Sequence, residues 1–386
     1  MPITAYVNGV PSVITVANGL IESLLPTSQK PTLWALPALV NMHTHSAMTL
    51  LRSAGSGLPL FQWLNDAIFP REAQLTPDDI YHGALDAFSE MRKCGTTAFN
   101  DMYFCIQSTL RAASEMGMAG TVSLSVTDQD FDNGTVADFI KSFKPLDSHR
   151  LSIAIAPHAI YTVSGPHLQY LADFAKEHHL PFHMHLSETR KEREDCIRQH
   201  GIPPVLYLHR LGIFDKVGSR FIGAHALWLD SDEIALLGAY NATVVHNPNS
   251  NLKLGSGCRF LYTELRDAGV NVTLGTDGCA SSDNLDMIEA MKIMSLLQKG
   301  TRNDPSVLPT DEVFQVASAN GRKALCLPDN SIAPGNPSDF MLIDTTKQVF
   351  NGVDFHNSTA AQIHQQLLNR LIYAAHPDVV FKTVTP

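Results

Sequence analysis

The chain has 386 residues, 44% hydrophobic and 17% charged, with a formal net charge of −10. That is ordinary globular composition with apolar material for a large core, and without clustered lysine and arginine it argues against nucleic acid as a partner. No apolar run reaches the roughly 18 residues of a membrane span, the N-terminus lacks a signal-peptide pattern, and six scattered cysteines without Cys-x-x-Cys read as reduced thiols of a cytoplasmic protein.

Residues 1–38 read as short strands at 3–7, 12–16 and 20–25, separated by the turn pairs Asn8-Gly9 and Asn18-Gly19, which are hairpin signals. A segment this small cannot bury its own core. An apolar run over 36–40, broken by Pro37, then enters like a buried strand and ends at His43 and His45. Side chains at i and i+2 of a strand share a face, so both imidazoles aim at one spot. A rigid imidazole pair is half of a site for zinc or a neighbouring divalent transition metal.

From there strand and helix alternate. A helix over 77–94 follows, with Thr76 as N-cap, Pro77 at its first position and Gly95 past its end. Further strands are expected at 96–101, 119–126, 151–158, 181–186, 220–225, 242–247 and 270–277. Helices are expected between them, and after the last at 285–298 and 310–325. Eight strand–helix units in a row predict a parallel (β/α)8 barrel over residues 39–336. Residues 337–386 return to strand character at 339–343 and 379–384, around a helix over 359–372. They are expected to pair with residues 1–38 into one small, abbreviated β-domain built from both chain termini.

Chemistry in such a barrel sits at the C-terminal strand ends. Those ends carry His45, Asp101, His158, His185, His225, His246 and Asp277. His183 and His185 share a face, and His185, nearer the mouth, is the expected metal ligand, with His183 as a hydrogen-bonded interior histidine. Glu188, three residues on, is placed to shuttle protons on the substrate side of a metal. Asp277 can bind a metal and take the proton of its water; alone, Thr276-Asp277-Gly278 would read as a turn.

On these residues the chain resembles the amidohydrolase superfamily, in its aminohydrolase branch of nucleoside and nucleobase deaminases. It looks most like the 5′-methylthioadenosine/S-adenosylhomocysteine deaminases. The motifs that carry the likeness include Asn41-Met-His-Thr-His45, Leu58-Pro-Leu-Phe-Gln-Trp63, Ala156-Pro-His158, His183-Met-His-Leu-Ser-Glu188, His246-Asn-Pro-Asn-Ser250 and Thr273-Leu-Gly-Thr-Asp277. The resemblance implies one divalent transition metal, zinc above iron or manganese, held by His43, His45, His185 and Asp277. It implies that Glu188 protonates a ring nitrogen, that Asp277 passes the water's proton to departing ammonia, and that His225 orients the attacking group. By the same likeness Glu72 takes ribose hydroxyls, Trp63 lines the pocket for the 5′ substituent and His158 contacts substrate; Trp63 as plain core is the alternative.

One departure stands out. Residues 119–140, where the family places arginines for the carboxylate of S-adenosylhomocysteine, contain no lysine or arginine and carry Asp128, Asp130 and Asp132. The expected function is therefore a deaminase of an adenine nucleoside with a neutral 5′ substituent. The alternatives are an aminohydrolase for a pterin, guanine or triazine, and a non-catalytic metal-stabilised barrel. The expected partners are a small-molecule substrate and water, with a homo-oligomer left open and neither nucleic acid nor membrane involved.

Overall fold

The structure, a computed structural model, describes residues 2–146 and 148–386. Both Asn-Gly pairs make tight hairpins because both residues of each sit at positive φ: 49° and 78° at Asn8 and Gly9, 50° and 75° at Asn18 and Gly19. They join β1 (Ile3–Val7), β2 (Val10–Ala17) and β3 (Leu20–Pro26) as antiparallel neighbours. The apolar run 36–40 is not one strand. It splits at Pro37 and Ala38 into β4 (Leu33–Pro37), which joins the terminal sheet, and β5 (Leu39–Thr44), which begins the barrel. Proline lacks the amide that a continuing ladder requires, so the chain changes sheets there.

The barrel continues through β6 (Thr96–Tyr103), β7 (Ala119–Val126), β8 (Leu151–Pro157), β9 (Phe182–Leu186), β10 (Phe221–His225), β11 (Thr243–His246) and β12 (Asn271–Leu274). These eight strands lie side by side in chain order and run parallel. The circle closes between β12 and β5 through the segment that follows β12. Asp277 N–H donates to His43 O (2.9 Å), Thr276 N–H to Asn41 Oδ1 (3.0 Å) and Asn41 Nδ2–H to Thr276 Oγ1 (2.7 Å). Gly275 makes this approach sterically feasible, since a Cβ there would meet His43 N and O at 2.8 Å.

The helices form where capping and periodicity place them. Pro77–Lys93 starts at a Thr76 capping box closed by Asp79 and buries Ile80, Ala84, Ala87, Phe88 and Met91 on one face. The helix expected over 310–325 is instead two, Thr310–Val316 and Ala319–Ala324. The break frees Ala317 O to accept Val40 N–H at 2.9 Å, so a bond to the first barrel strand replaces a helical one. A short helix that was not expected, Asp128–Asp132, follows β7, with Asp130 closing a capping box on Thr127. Among the described residues no helix is long and apolar enough to cross a membrane, and all six cysteines are free thiols.

β13 (Phe340–Asp344) and β14 (Val380–Val384) complete a six-stranded sheet with the N-terminal strands, in the order β14-β13-β4-β1-β2-β3. That sheet is tied to the barrel by Asp339, which is fully buried. Its Oδ1 accepts from Thr97 Oγ1 on β6 and its Oδ2 from Arg322 Nη1 at 2.7 Å, with Arg322 also buried. Removing one member of a buried ion pair strands the other charge, at a cost of about 3–5 kcal/mol. Asp339→Ala is therefore expected to lower unfolding stability by about that amount in urea titration; a change near zero would mean that the pair contributes nothing net.

Candidate active site

The strand ends bring a set of polar side chains to one end of the barrel. His43, His45, His185 and Asp277 each offer one ligand atom, all within 4.8 Å of one another. Asp277 Oδ1 lies 3.3 Å from His43 Nε2 and 3.1 Å from His45 Nε2, and His185 Nε2 lies 3.4 Å from His45 Nε2. Backbone carbonyls orient two of the rings: His45 Nδ1–H donates to Met102 O (2.6 Å) and His185 Nδ1–H to His158 O (2.8 Å). A neutral imidazole that donates through Nδ1 keeps a lone pair on Nε2. His43 Nδ1 lies 3.0 Å from His183 Nε2, so His183 supports a ring from behind, as an interior histidine should.

A divalent metal fits this set on the observed chemistry. His43 Nε2 is fully buried yet makes no hydrogen bond, an arrangement that needs an explanation in a native interior. Burial holds His185 well below the usual imidazole range, with His158 beside it adding to the effect, so the ring is neutral and able to ligate. Burial raises the Asp277 carboxyl, but the imidazoles of His43 and His45 outweigh it and hold it well below the usual carboxylate range. Its second oxygen is taken by hydroxyls, Ser250 Oγ at 2.7 Å and Ser281 Oγ at 2.9 Å, which leaves Oδ1 facing the three rings.

Glu188 stands beside this centre. Its Oε2 is 3.8 Å from His225 Nε2 and its Oε1 accepts from Ser256 Oγ at 2.9 Å. Burial, with the nearby Asp277 charge, pushes its carboxyl up to about 8. His225 Nδ1 lies 2.8 Å from Asn251 Nδ2, and burial lowers the ring to about 4, so it is neutral. A donating amide on Nδ1 puts the proton on Nε2, toward the site. Ser187, His225, Ala226 and Asp277 have φ of 47°, 74°, 49° and 62°. Left-handed backbone at non-glycine residues costs about 1–3 kcal/mol each and gathers where function dictates side-chain aim.

A cavity of about 580 Å³ opens from these residues. Glu72, Trp63 and His158, the expected substrate contacts, all line it. Trp63 packs in an apolar cluster with Met48, Leu60 and Ile68, donates Nε1–H to Ala54 O (2.8 Å) and also borders the cavity. His158 is held through Nδ1 by Thr162 Oγ1 at 3.0 Å. Glu72 lies against Tyr103, and burial raises its carboxyl. Asp128, Asp130 and Asn133 line the cavity too, and no lysine or arginine does among the described residues. Arg52 is paired with Glu90 and Arg71 donates to Ala67 O, so neither faces it.

Sequence reading missed several side chains that adjoin the site. Ser250 and Asn251 lie in the short helix Pro248–Lys253 and Ser256 in the loop after it, and nothing in their spacing reveals which carboxylate or imidazole they meet. Tyr103 looks like any strand residue. Glu192, whose carboxylate accepts Ser187 N–H and Glu188 N–H at 2.9 and 2.8 Å, was hidden in Thr189-x-x-Glu192, which reads as an ordinary helix cap. Two other strand-end residues fall outside the metal set. Asp101 accepts Ser46 N–H at 2.6 Å, and His246 is stacked on Phe260 at 4.1 Å between ring centres.

Residues 34–384 match the amidohydrolase family. The chain is 41% identical over 356 residues to a 5′-deoxyadenosine deaminase of Methanoregula boonei, covering 91% of this chain and 77% of that one. It is 39% identical over 348 residues to 5-methylthioadenosine/S-adenosylhomocysteine deaminase 1 of Archaeoglobus fulgidus, covering 89% and 79%. Among solved structures, a zinc-bound adenosine deaminase from Xanthomonas campestris superposes with a TM-score of 0.87 at 31% identity, over 97% of this chain and 87% of that one. Guanine deaminase of E. coli shares the fold, with a TM-score of 0.81 at 18% identity over 97% and 91%. The chain belongs to the amidohydrolase family, as a hydrolase acting on C–N bonds.

Proposed function

We propose that this enzyme deaminates an adenine nucleoside with a neutral 5′ substituent, such as 5′-deoxyadenosine, adenosine or 5′-methylthioadenosine, releasing ammonia and the inosine-type product. The observation that carries the reading is Glu188, buried between His225 and Ser256 at the edge of the His43, His45, His185 and Asp277 group. The relative named a 5′-deoxyadenosine deaminase supports a neutral 5′ substituent, and the one named for 5-methylthioadenosine and S-adenosylhomocysteine supports the adenine-nucleoside class more broadly. Three imidazoles and a carboxylate would hold one divalent metal; they suit zinc, the ion in the Xanthomonas structure, and also iron or manganese. When bound, the metal acidifies water to near neutral pH and so supplies the nucleophile.

The protein's own groups would do the rest. Glu188 carries a proton at neutral pH and donates it to the ring nitrogen beside the amine-bearing carbon. His225, neutral with Nε2–H toward the site, orients the attacking oxygen. As the new C–O bond forms and the C–N bond breaks, Asp277 moves one of the water's protons to the amine, which leaves as ammonia, and the proton left on the new oxygen returns to Glu188. Glu72 accepts from the ribose diol, which a free base does not offer; that favours a nucleoside over a pterin, guanine or triazine. Trp63 and the neighbouring apolar wall cover the 5′ substituent, and His158 contacts the substrate beside His185.

Three measurements test this reading. Elemental analysis of the purified protein is expected to find about one transition metal per chain, with most of it lost in His185→Ala; full occupancy in that variant would remove His185 from the ligand set. Glu188→Gln keeps the shape but cannot exchange the proton, so kcat should fall about 10²- to 10⁴-fold with metal retained. Wild-type kcat in that variant would take Glu188 out of the mechanism. Finally, a charge-assisted hydrogen bond to a carboxylate contributes about 1.5–3 kcal/mol, or about 10- to 100-fold at 1.4 kcal/mol per tenfold. With no lysine or arginine on the cavity wall among the described residues, neutral nucleosides should exceed S-adenosylhomocysteine by at least about tenfold in kcat/KM. Equal turnover of S-adenosylhomocysteine, or faster turnover of free adenine or guanine, would overturn the substrate assignment.

A further inference from the structure

Glu188 does not sit on a regular element. β9 ends at Leu186 and the next helix, Arg190–His200, begins two residues after Glu188. Between them Ser187 holds φ at 47°, in the left-handed region. Such backbone persists only where its surroundings over-determine it, and here both sides of the Ser187 peptide are clamped. Ser187 O accepts Leu227 N–H at 3.1 Å and Trp228 N–H at 3.0 Å, from the loop after β10. On the other side, the two oxygens of Glu192 accept the consecutive amides of Ser187 (2.9 Å) and Glu188 (2.8 Å).

Glu192 belongs to the first turn of the helix, where Thr189 Oγ1 caps its amide at 3.1 Å. In a capping box the glutamate would turn back to the cap residue; this one reaches on to the two residues before it. It is 2% exposed and does not line the cavity, so it neither ligates nor touches substrate. A buried carboxylate without a cationic partner is costly unless hydrogen bonds satisfy it. Burial pushes the Glu192 carboxyl up to about 8, and the Glu188 and Ser187 amides act against that shift by favouring the ionised form. Consecutive N–H groups form a cradle that two carboxylate oxygens can fill.

We infer that Glu192 is a positioning residue for the reaction: by gripping the Ser187 and Glu188 amides it fixes where the Glu188 carboxyl points. The inference rests on the proton-transfer role proposed for Glu188. The arrangement joins a rigid helix to the proton donor through main chain, while Ser256 holds the donor's side chain. Glutamine at position 192 offers one acceptor oxygen and turns an NH2 toward the other amide, so one bond is lost and two donors face each other. A displacement of about 1 Å in a reacting group is enough to cost about 10²-fold in rate.

The test uses the full-length, metal-loaded enzyme with 5′-deoxyadenosine. Glu192→Gln should lower kcat about 10- to 100-fold, with KM little changed and metal content equal to wild type. Amide hydrogen exchange should accelerate at Ser187 and Glu188 while that of β10 stays at the wild-type rate. In a Glu188→Gln background, Glu192→Gln should add almost no further loss, because two residues acting as one unit are not additive; a purely structural defect would multiply the losses. Wild-type kcat in Glu192→Gln, or multiplicative losses in the double variant, overturns the inference. If no adenine nucleoside is turned over, the proposed function falls, yet unchanged protection at residues 187 and 188 would still overturn the positioning role by itself. Glu192→Asp, which keeps the charge one methylene short, serves if Glu192→Gln does not fold: it should lose the same protection and rate, and full activity in it overturns the inference.

Discussion

A parallel barrel must join its last strand to its first, and in this protein that seam is also the chemical centre. The Asp277 amide donates to His43 O, and the carboxylate of the same residue lies against the rings of His43 and His45. One residue thus closes the fold and completes the group of side chains that could hold a metal. Gly275 permits the two backbones to meet, and Asn41 and Thr276 exchange hydrogen bonds across the same gap. A carboxylate buried in a barrel mouth would be costly alone. His45, whose ring burial lowers but Asp277 raises to about 9, and the two serine hydroxyls on the carboxylate's far oxygen offset part of that cost and keep its near oxygen aimed inward.

The rest of the mouth is built by interlocking loops. The loop after β9 receives hydrogen bonds from the loop after β10 at Ser187 O, and the segment after β11 supplies Ser256 to Glu188 and, from the helix Pro248–Lys253, Asn251 to His225. Each loop holds a functional group of its neighbour in a conformation the neighbour would not adopt alone. The left-handed backbone at Ser187, His225, Ala226 and Asp277 is the local cost of turning the chain at the mouth so that His225 and Asp277 face the cavity, and a rim of hydrogen bonds offsets it.

The terminal sheet stands apart from this chemistry but shares the barrel's first strand boundary. β4 and β5 are one apolar stretch bent at Pro37 and Ala38, so the two sheets are continuous in chain. Asp339 then fastens the C-terminal half of the small sheet to β6 and to Arg322 through buried charge and hydrogen bonds. The first strand is held at both ends, by Asp277 above and by Ala317 and Asp339 below, where Ala317 O accepts Val40 N–H and Asp339 O accepts Ala38 N–H. Its two histidines inherit that rigidity.

Much of this was legible in the residue order. Periodicity and turn chemistry are local, so the eight strand–helix units, both Asn-Gly hairpins and the cap at Thr76 could be read directly, as could the His-x-His pairs, whose alternation puts two rings on one face. What local order could not contain is which distant groups meet. The helix over 310–325 broke because a β5 amide required Ala317 O, a bond 277 residues away in the chain. Glu192 reads as a cap by spacing and became a clamp on Glu188 only because the chain ahead of it turns left-handed. Ser250 and Ser256 acquired partners only when three loops converged. Sequence alone determined most of the elements and the kinds of chemistry they carry; packing decided where the 36–40 and 310–325 stretches break and which oxygen or nitrogen faces which, because contacts between strand ends depend on barrel closure rather than on neighbours in sequence.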